Sequence, residues 1–430
     1  MIQLVLIIGL GFRLSHSSGL SYTKVDIHPK YKQTYNVRYI YGFNHSHYSY
    51  FLTNQRSSVR DGAEYESKII RICQKDNQFF SYMELPVQCT GGSNFEHTVS
   101  STAYFGKIGP QKYRDFGISQ ESEADTLFVS MGVPLMGRRD RFNSSIGSAI
   151  CAFSVKQINN AFKEAAKECF RGVDHVRPLE TIEGNKRNCI PLNVDVTDDF
   201  CGTGQNPYIG TNKPLEGVLL TTIVGHVTSL AVAIQNRQTV AAIGTEDGLI
   251  SKIKLDEPMA SEKPLFEMNI SGQLKDRSIR PNPAFDSTEK FLYLLSGNQL
   301  VKFPFGSCSL HTDCASCLDP ERVDPLRCGW CDSYCATDEE CQTPTLMSRS
   351  RCPPEVFDFT PKSGPLSGGT VVTISGDNLG TRHSSQENSD IHVTIADSEC
   401  QVTQQQPRRV QCITTGVKKE VSGIFDTIFL

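Results

Sequence analysis

The stretch VTSLAVAIQNRQTVAAIGTEDGLISKIKLDEPMASEKPLFEMNI, Val227–Ile270, indicates the fold of the larger part of the chain. It holds four short apolar and β-branched runs, Val227–Ile234, Thr239–Ile243, Leu249–Leu255 and Leu265–Ile270, at a spacing of about 12 residues. Polar turns lie at Gln235–Arg237 and Glu246–Gly248. Four strands in a meander, followed by Phe291–Leu295 and a hairpin turn at Gly297–Asn298, are typical of β-propeller blades. A β-sandwich is the alternative that this pattern leaves open.

Further strands and one helix are predicted upstream of this stretch. The strand runs are Val37–Tyr41, Tyr48–Leu52, Ser67–Cys73, Phe79–Cys89 and Thr126–Met131. Ser154 and Gln157 form a capping-box pattern, and apolar residues from Ile158 to Phe170 recur at helical spacing until Gly172. A lone amphipathic helix among strands is expected to cover the edge of a sheet. Because strands predominate, the predicted fold class is all-β.

The composition changes after Phe305. Eight of the 16 cysteines lie between Cys308 and Cys352, where aliphatic residues are few. Such a segment cannot bury enough apolar surface to fold alone, so it depends on disulfides worth about 2–4 kcal/mol each. After Pro353–Pro354 the chain alternates as in a sandwich, with strands at Val371–Ile374, Ile391–Ile395 and Val410–Ile413. Cys400 and Cys412 lie near the ends of two of these strands and make a plausible disulfide.

The cysteines, sequons and N-terminus indicate an exported protein. An even number of cysteines is typical of disulfide-stapled secreted domains. Glycosylation sequons begin at Asn44, Asn143 and Asn269. Ile2–Phe12 has the length of a signal-peptide core, which predicts a leader at residues 1–20 and a linker at 21–35. An ordinary first strand is the alternative. We find no predicted membrane span, and the net charge of −4 gives no electrostatic case for nucleic acid.

Two cysteine pairs could carry chemistry. Cys314-x2-Cys317 with Cys328-x2-Cys331 resembles a zinc site, and Cys328-Gly-Trp-Cys331 resembles a redox dithiol. Four further cysteines stand in the same short segment, and no strand–helix context of an oxidoreductase surrounds Cys328. A structural knot with Trp330 in its core is therefore the favoured interpretation.

No other motif predicts catalysis. The sequence has no Gly-x-Ser-x-Gly, no His-Glu-x-x-His and no phosphate-binding glycine loop ending in Lys-Ser/Thr. The acidic clusters Glu121–Asp125 and Asp198–Asp199 could hold calcium, but solvated loop surface is the simpler interpretation. We expect no enzyme activity, cofactor, metal or small-molecule substrate.

The order of these parts resembles a known receptor architecture. The eight-cysteine block with Cys-Gly-Trp-Cys at 328–331 resembles a PSI domain, which plexins, semaphorins and integrins share. Phe359–Thr370 and Ile374–Gly380 resemble the opening of an IPT (immunoglobulin-like) domain. The motifs Tyr39–Phe43, Ile69–Cys73, Ser81–Leu85 and Ser148–Phe153 resemble the later part of a sema propeller, and Asp198–Gly202 and Pro214–Gly217 are similar to plexins in particular. The resemblance implies a partial sema propeller of the seven-bladed type at 36–306, a PSI knot at 307–353 and a truncated IPT β-sandwich at 354–430.

The resemblance to plexins also implies a disulfide pattern. Carried over to this sequence, the implied pairs are Cys73–Cys201, Cys89–Cys151, Cys169–Cys189, Cys308–Cys328, Cys314–Cys352, Cys317–Cys335 and Cys331–Cys341. With Cys400–Cys412 these pairs leave no cysteine over.

The implied function is that of a plexin-type receptor ectodomain that binds semaphorins and guides axons or migrating cells. Co-receptors or another plexin chain are further expected partners. One alternative is a fragment of a receptor tyrosine kinase of the kind that binds hepatocyte growth factor. The other is a secreted thiol-disulfide oxidoreductase that uses Cys328 and Cys331. Relative to the family, the first blades are expected to be missing. Because no transmembrane span is predicted, the chain as given is expected to be secreted if it is stable.

Overall fold

The computed structural model describes residues 3–7, 11–15, 24–90, 97–134, 143, 146–256, 264–270, 277–318, 325–342, 347–349, 352–379, 392–395, 398–406 and 408–416. These residues fall into two compact units. The first comprises residues 1–310 with 322–326, and the second comprises 311–321 with 327–430. Among the described helices, none has the length and apolar character needed to cross a membrane.

The first unit consists mainly of β-strands. Its elements are β1 (Gln3–Ile7), β2 (Gly11–Ser15), β3 (Lys24–Asp26), β4 (Val37–His45), β5 (Tyr48–Arg56), β6 (Tyr65–Cys73), β7 (Met83–Gln88), β8 (Val99–Lys107), β9 (Asp125–Gly132), β10 (Ser148–Ser154), α1 (Val155–Phe170), β11 (Val176–Pro178), α2 (Glu180–Glu183), β12 (Ile209–Thr211), β13 (Leu215–Glu216), β14 (Val218–Ile223), β15 (Val227–Gln235), β16 (Gln238–Thr245), β17 (Leu249–Lys254), β18 (Phe266–Asn269), β19 (Ala284–Phe285), β20 (Leu292–Ser296) and β21 (Gln299–Phe303).

Four sheets of this unit are built like propeller blades. They run in the orders β4-β5-β6-β7, β8-β9-β10-β14, β15-β16-β17-β18 and β19-β20-β21, each as an antiparallel meander. The first is extended by β12 and β13, which pair in parallel with β7, and by β11. The meander predicted for Val227–Ile270 is thus confirmed as the third sheet.

Alternation along the strands builds a hydrophobic core between each pair of neighbouring sheets. In the third sheet, Val232 and Ile243 join the cluster shared with the second sheet, whereas Ala231 and Ala242 join the cluster shared with the fourth. Successive side chains point to opposite faces of a strand, so a shift of one residue in register would exchange these two sets. Because both faces are covered, the strands are almost continuously apolar.

The predicted helix is confirmed with its cap. Ser154 accepts the Gln157 N–H and the Gln157 side chain reaches back to the Ser154 N–H, which completes the capping box of α1. The buried face of α1, including Ile158, Phe162 and Ala166, joins the cluster between the first two sheets. The helix therefore covers the sheets as the sequence predicts.

A network of polar groups is buried on the other face of the first sheet. The Glu84 carboxylate accepts hydrogen bonds from Tyr82 Oη at 2.8 Å and Gln55 Nε2 at 3.0 Å, and Lys68 Nζ lies 3.5 Å from it. Burial alone would lower the pKa of Lys68, but Tyr35, Glu84 and the neighbouring Glu66 together raise it above its ordinary value. The ammonium and the carboxylate thus stabilise each other inside the fold.

Two predictions differ from the structure in detail. Phe79–Cys89 is not one strand, because Phe79 has a left-handed backbone (φ 59°) and the Tyr82 N–H closes a turn onto its carbonyl. The strand therefore begins only at Met83. Within the predicted leader, β1 and β2 form a hairpin, and β2 also pairs with β3. These residues are therefore in strands here, as the alternative of an ordinary first strand predicts. Cleavage of residues 1–20 stays a prediction.

The second unit holds a small disulfide-rich part and a larger sheet. Its elements are α3 (Cys314–Cys317), β22 (Gly329–Cys331), β23 (Tyr334–Ala336), β24 (Met347–Ser348), β25 (Glu355–Thr360), β26 (Val371–Asp377), β27 (Val393–Ile395), β28 (Ser398–Gln406) and β29 (Arg409–Thr414). The last five form one antiparallel sheet in the order β25-β26-β29-β28-β27. Ile374 of β26 and Val393 of β27 share one buried cluster although two strands separate them, so this sheet wraps around a single core.

Candidate protein-binding surface

One extended segment, Cys189–Cys201, passes the end of the first sheet without entering a strand or helix. We call it the strap. It belongs to a stretch without regular structure that runs from Gly184 to Tyr208. Irregular stretches of this length in compact domains are usually functional, and specific contacts must hold them in place.

Disulfides fix both ends of the strap. Cys189 is bonded to Cys169 in the last turn of α1, with a Cα–Cα distance of 5.3 Å. Cys201 is bonded to Cys73, the last residue of β6, with a Cα–Cα distance of 5.5 Å. These bonds close loops of 20 and 128 residues, and closing loops restricts the unfolded chain. The strap thus starts and ends on rigid elements.

A buried amide holds the first half of the strap. The Asn206 side chain is fully buried; its Nδ2 donates to the Ile190 carbonyl and its Oδ1 accepts the Ile190 N–H, both at 2.8 Å. Two residues further on, the Leu192 N–H donates to the Phe170 carbonyl at 3.0 Å. These bonds occupy the backbone groups that a neighbouring strand would otherwise pair.

A tyrosine holds the second half. Tyr48 Oη lies 2.8 Å from the Asp198 carbonyl and 3.0 Å from the Phe200 carbonyl, to which it donates. The Phe200 ring meets Phe170 edge-on, with centroids 5.6 Å apart. The strap is therefore anchored along its whole length as well as at its ends.

The strap has a buried and an exposed side. Leu192, Val196 and Phe200 pack on the cluster between the first two sheets. Ile190 and Val194 face solvent and are 50% and 41% exposed. A rigid segment that exposes two aliphatic side chains can contact another protein with little loss of conformational entropy.

Acidic residues follow these aliphatic residues along the strap. Asp195, Asp198 and Asp199 are all exposed. Lys163 Nζ donates to Asp198 at 2.8 Å, and this hydrogen bond holds the pKa of the Asp198 carboxyl below its ordinary value. His47 Nε2 lies 3.3 Å from Asp199. The strap thus exposes two aliphatic side chains and three carboxylates, of which Asp195 has no described ion pair, and this combination suits a partner with apolar and basic groups.

A buried arginine supports the tyrosine anchor. The Arg71 guanidinium lies 4.2 Å from the centroid of the Tyr48 ring and 4.7 Å from that of Phe162. Its Nη1 donates to Asn159 Oδ1 at 3.1 Å, and Tyr50 Oη donates to the same oxygen at 2.6 Å. Burial lowers the pKa of Arg71. The residues that position the strap therefore come from β5, β6 and α1 together.

The acidic cluster Glu121–Asp125 does not form a shared site. Glu121 pairs with Lys107, Glu123 pairs with Lys156, and Asp125 contacts His45. Two of these carboxylates thus face lysines and the third faces an imidazole, which favours the surface interpretation over calcium binding.

The predicted glycosylation residues lie at separate places. Asn44 is exposed at the end of β4 and accepts a hydrogen bond from Ser49 Oγ at 2.7 Å. Asn269 is exposed at the end of β18, and Asn143 is partly buried. The described residues do not include Ser144 and Ser145 of the Asn143 sequon or Ser271 of the Asn269 sequon.

The structure places the remaining cysteines as follows. Its further pairs are Cys89–Cys151, Cys314–Cys352, Cys317–Cys335, Cys331–Cys341 and Cys400–Cys412. Cys308 and Cys328 are also disulfide-bonded, and no described cysteine is free. The oxidoreductase alternative is wrong in this structure, because Cys331 is bonded to Cys341 and not to Cys328. The zinc alternative fails similarly, since Cys314 and Cys317 are used in disulfides.

Comparison with known proteins identifies the family. A Sema domain model matches residues 135–274 and an IPT/TIG domain model matches residues 354–427. Human Plexin-A2 is 32% identical over 319 residues, which are 72% of this chain and 16% of that protein. The chain belongs to the plexin family. Human Plexin-A4 is 29% identical over 322 residues, with the same coverage.

A solved structure shows the fold that this plexin-family chain shares. The extracellular region of plexin A4 matches with a TM-score of 0.68 at 23% sequence identity, covering 91% of this chain and 43% of that one. The all-β architecture with a sema propeller and an IPT domain is thereby confirmed. The chain spans about a sixth, 16%, of the length of the curated plexins it matches.

The strap as a surface was missed by the sequence analysis. Asp198–Gly202 stood out only as a family resemblance, and Asp198–Asp199 as a weak calcium candidate. The available signal was a short stretch bracketed by Cys189 and Cys201 in which aliphatic residues alternate from Ile190 to Val196. Its exposed aliphatic residues, Ile190 and Val194, could not be told from core residues by their type.

Proposed function

We propose that this chain is part of a cell-surface plexin receptor and binds a semaphorin through the strap. Membership of the plexin family supports the partner class. The observation that carries the surface is the strap itself, an anchored segment that exposes Ile190 and Val194 together with three aspartates. Binding by surface complementarity needs no bond chemistry, so we propose no enzyme activity.

The domain boundaries, the cellular location and the processing of the chain are further parts of this proposal. We propose a sema part at 36–306, a PSI knot at 307–353 and an IPT part at 354–430, with the strap on the sema part. We propose that the extracellular side of the plasma membrane is the site of action, with a leader at 1–20, all eight disulfides formed and glycans at the three sequons. Mass spectrometry of the secreted protein without reduction tests these points together.

Binding to immobilised semaphorin ectodomains by surface plasmon resonance tests the function. Val194→Glu puts a charge among the exposed aliphatic residues, and we expect at least about tenfold weaker binding, as for a central interface residue. Val224→Glu is the matched control, because Val224 is 96% exposed in another loop. Equal affinity of both variants would remove the strap from the interface.

The ligand class is tested in the same assay. Binding to at least one semaphorin and not to hepatocyte growth factor is the expected result. Retention of the growth factor with no semaphorin bound would instead favour the receptor-kinase alternative.

A further inference from the structure

One sequon lies in the hairpin between β4 and β5, next to the strap. Asn44 is the eighth residue of β4, Ser46 stands in the turn with a left-handed backbone (φ 51°), and both are exposed. The next two residues of the hairpin contact the strap directly. His47 Nε2 lies 3.3 Å from Asp199, and Tyr48 Oη donates to the Asp198 carbonyl at 2.8 Å.

The Asn44 side chain presents its nitrogen for modification. Its Oδ1 accepts the Ser49 hydroxyl at 2.7 Å, which orients the amide, and among the described contacts its Nδ2 has no hydrogen-bond partner. A sugar is attached at this nitrogen in N-glycosylation. The fold therefore accommodates a glycan here without breaking a described hydrogen bond.

We infer that an N-linked glycan on Asn44 stands beside the strap and limits the approach of its partner. Only two residues of the hairpin, His45 and Ser46, separate Asn44 from His47, the residue that contacts Asp199. A bulky hydrated chain at that distance excludes part of the directions from which a protein can reach the strap. Such exclusion slows association and leaves the contacts made after docking unchanged. For the identity of the partner, this inference rests on the proposed function.

Three variants separate the glycan from the local structure. Ser46→Ala removes the sequon and keeps Asn44 with its Ser49 bond. Ser49→Ala removes that bond and keeps the sequon. Asn269→Gln removes a sequon on a different sheet. Intact mass of each secreted protein, before and after enzymatic deglycosylation, reports whether Asn44 carries a glycan.

Association rates are then measured with two probes, a semaphorin ectodomain and a Fab fragment selected to lose binding on Val194→Glu. We expect Ser46→Ala to raise both association rates by about two- to tenfold with unchanged dissociation. The association rates of Ser49→Ala and Asn269→Gln should equal those of the chain without substitutions. Absence of a glycan on Asn44, or an unchanged Fab association rate in Ser46→Ala, overturns the inference. If the Fab associates faster with Ser46→Ala but no semaphorin binds, the inference about the glycan is supported and the proposed function is refuted. Failure of the inference and failure of the proposed function can therefore be told apart.

Discussion

Replacing Asn206 should release the strap without unfolding the propeller sheets. Asn206 is fully buried and holds both backbone groups of Ile190 at 2.8 Å. In Asn206→Ala both of these partly buried backbone groups lose their partner. Each lost hydrogen bond of this kind costs about 1–2 kcal/mol, so the free energy of local opening falls by about 2–4 kcal/mol. This corresponds to roughly 30- to 900-fold more frequent opening.

Native-state hydrogen exchange followed by mass spectrometry measures that opening. Peptides that contain the strap should exchange faster by about this factor, whereas peptides from β15 and β16 keep their rates. The affinity for the partner should fall as well, because the binding-competent conformation is less populated. Asn193→Ala is the matched control, since Asn193 is exposed on the same strap and its side chain has no described hydrogen bond. Equal exchange in the two variants would refute the reasoning that Asn206 anchors the strap.

Three further predictions concern buried and surface charges. Lys68→Met or Glu84→Gln alone should lower the free energy of unfolding by about 3–5 kcal/mol, whereas the double variant recovers most of the loss; additive losses in urea unfolding would contradict the pairing. Arg71→Met should lower the free energy of unfolding less than Arg71→Ala, because the alanine leaves a cavity between two rings that costs a further loss of about 2–4 kcal/mol. Thermal unfolding of both variants measures the order. Lys163→Gln should return the pKa of Asp198 towards its ordinary value in a carboxyl NMR titration. Because that pKa is depressed in the folded state, the contribution of the Lys163–Asp198 pair is present above the ordinary pKa and is lost as the pH falls through the folded-state value. An Asp198 pKa that is the same with and without Lys163 would rule out the hydrogen bond as its cause.

Local signals made much of the fold predictable. The capping box at Ser154 and the strand runs around Val227–Ile270 depend on residues within a few positions of each other, and the structure has the corresponding elements. The parallel pairing of β12 with β7 was not predictable, because Ile209 and Met83 are far apart in the chain. No pattern of period 2 or 3.6 in either segment indicates that contact.

The strap escaped prediction for a related physical reason. Its conformation comes from groups that are distant in sequence, namely a disulfide across 128 residues and the hydroxyl of Tyr48. None of these anchors is visible as periodicity, since each is a single residue in another element. The residue types of the strap itself mix aliphatic and acidic side chains, and they do not show which of the aliphatic ones are exposed.

The way the strap is held bears on how a receptor surface can change without loss of the fold. Inside the blade sheets, one substitution alters packing on one of two cores, because alternate side chains serve different neighbours. In the strap, the anchoring atoms are mainly backbone carbonyls and N–H groups held by Asn206, Tyr48 and the disulfides. Side chains such as Ile190 and Val194 are therefore left out of the anchoring. They can be replaced to suit a different partner while the same bonds keep the segment ordered, which is the condition for tight binding at low entropic cost.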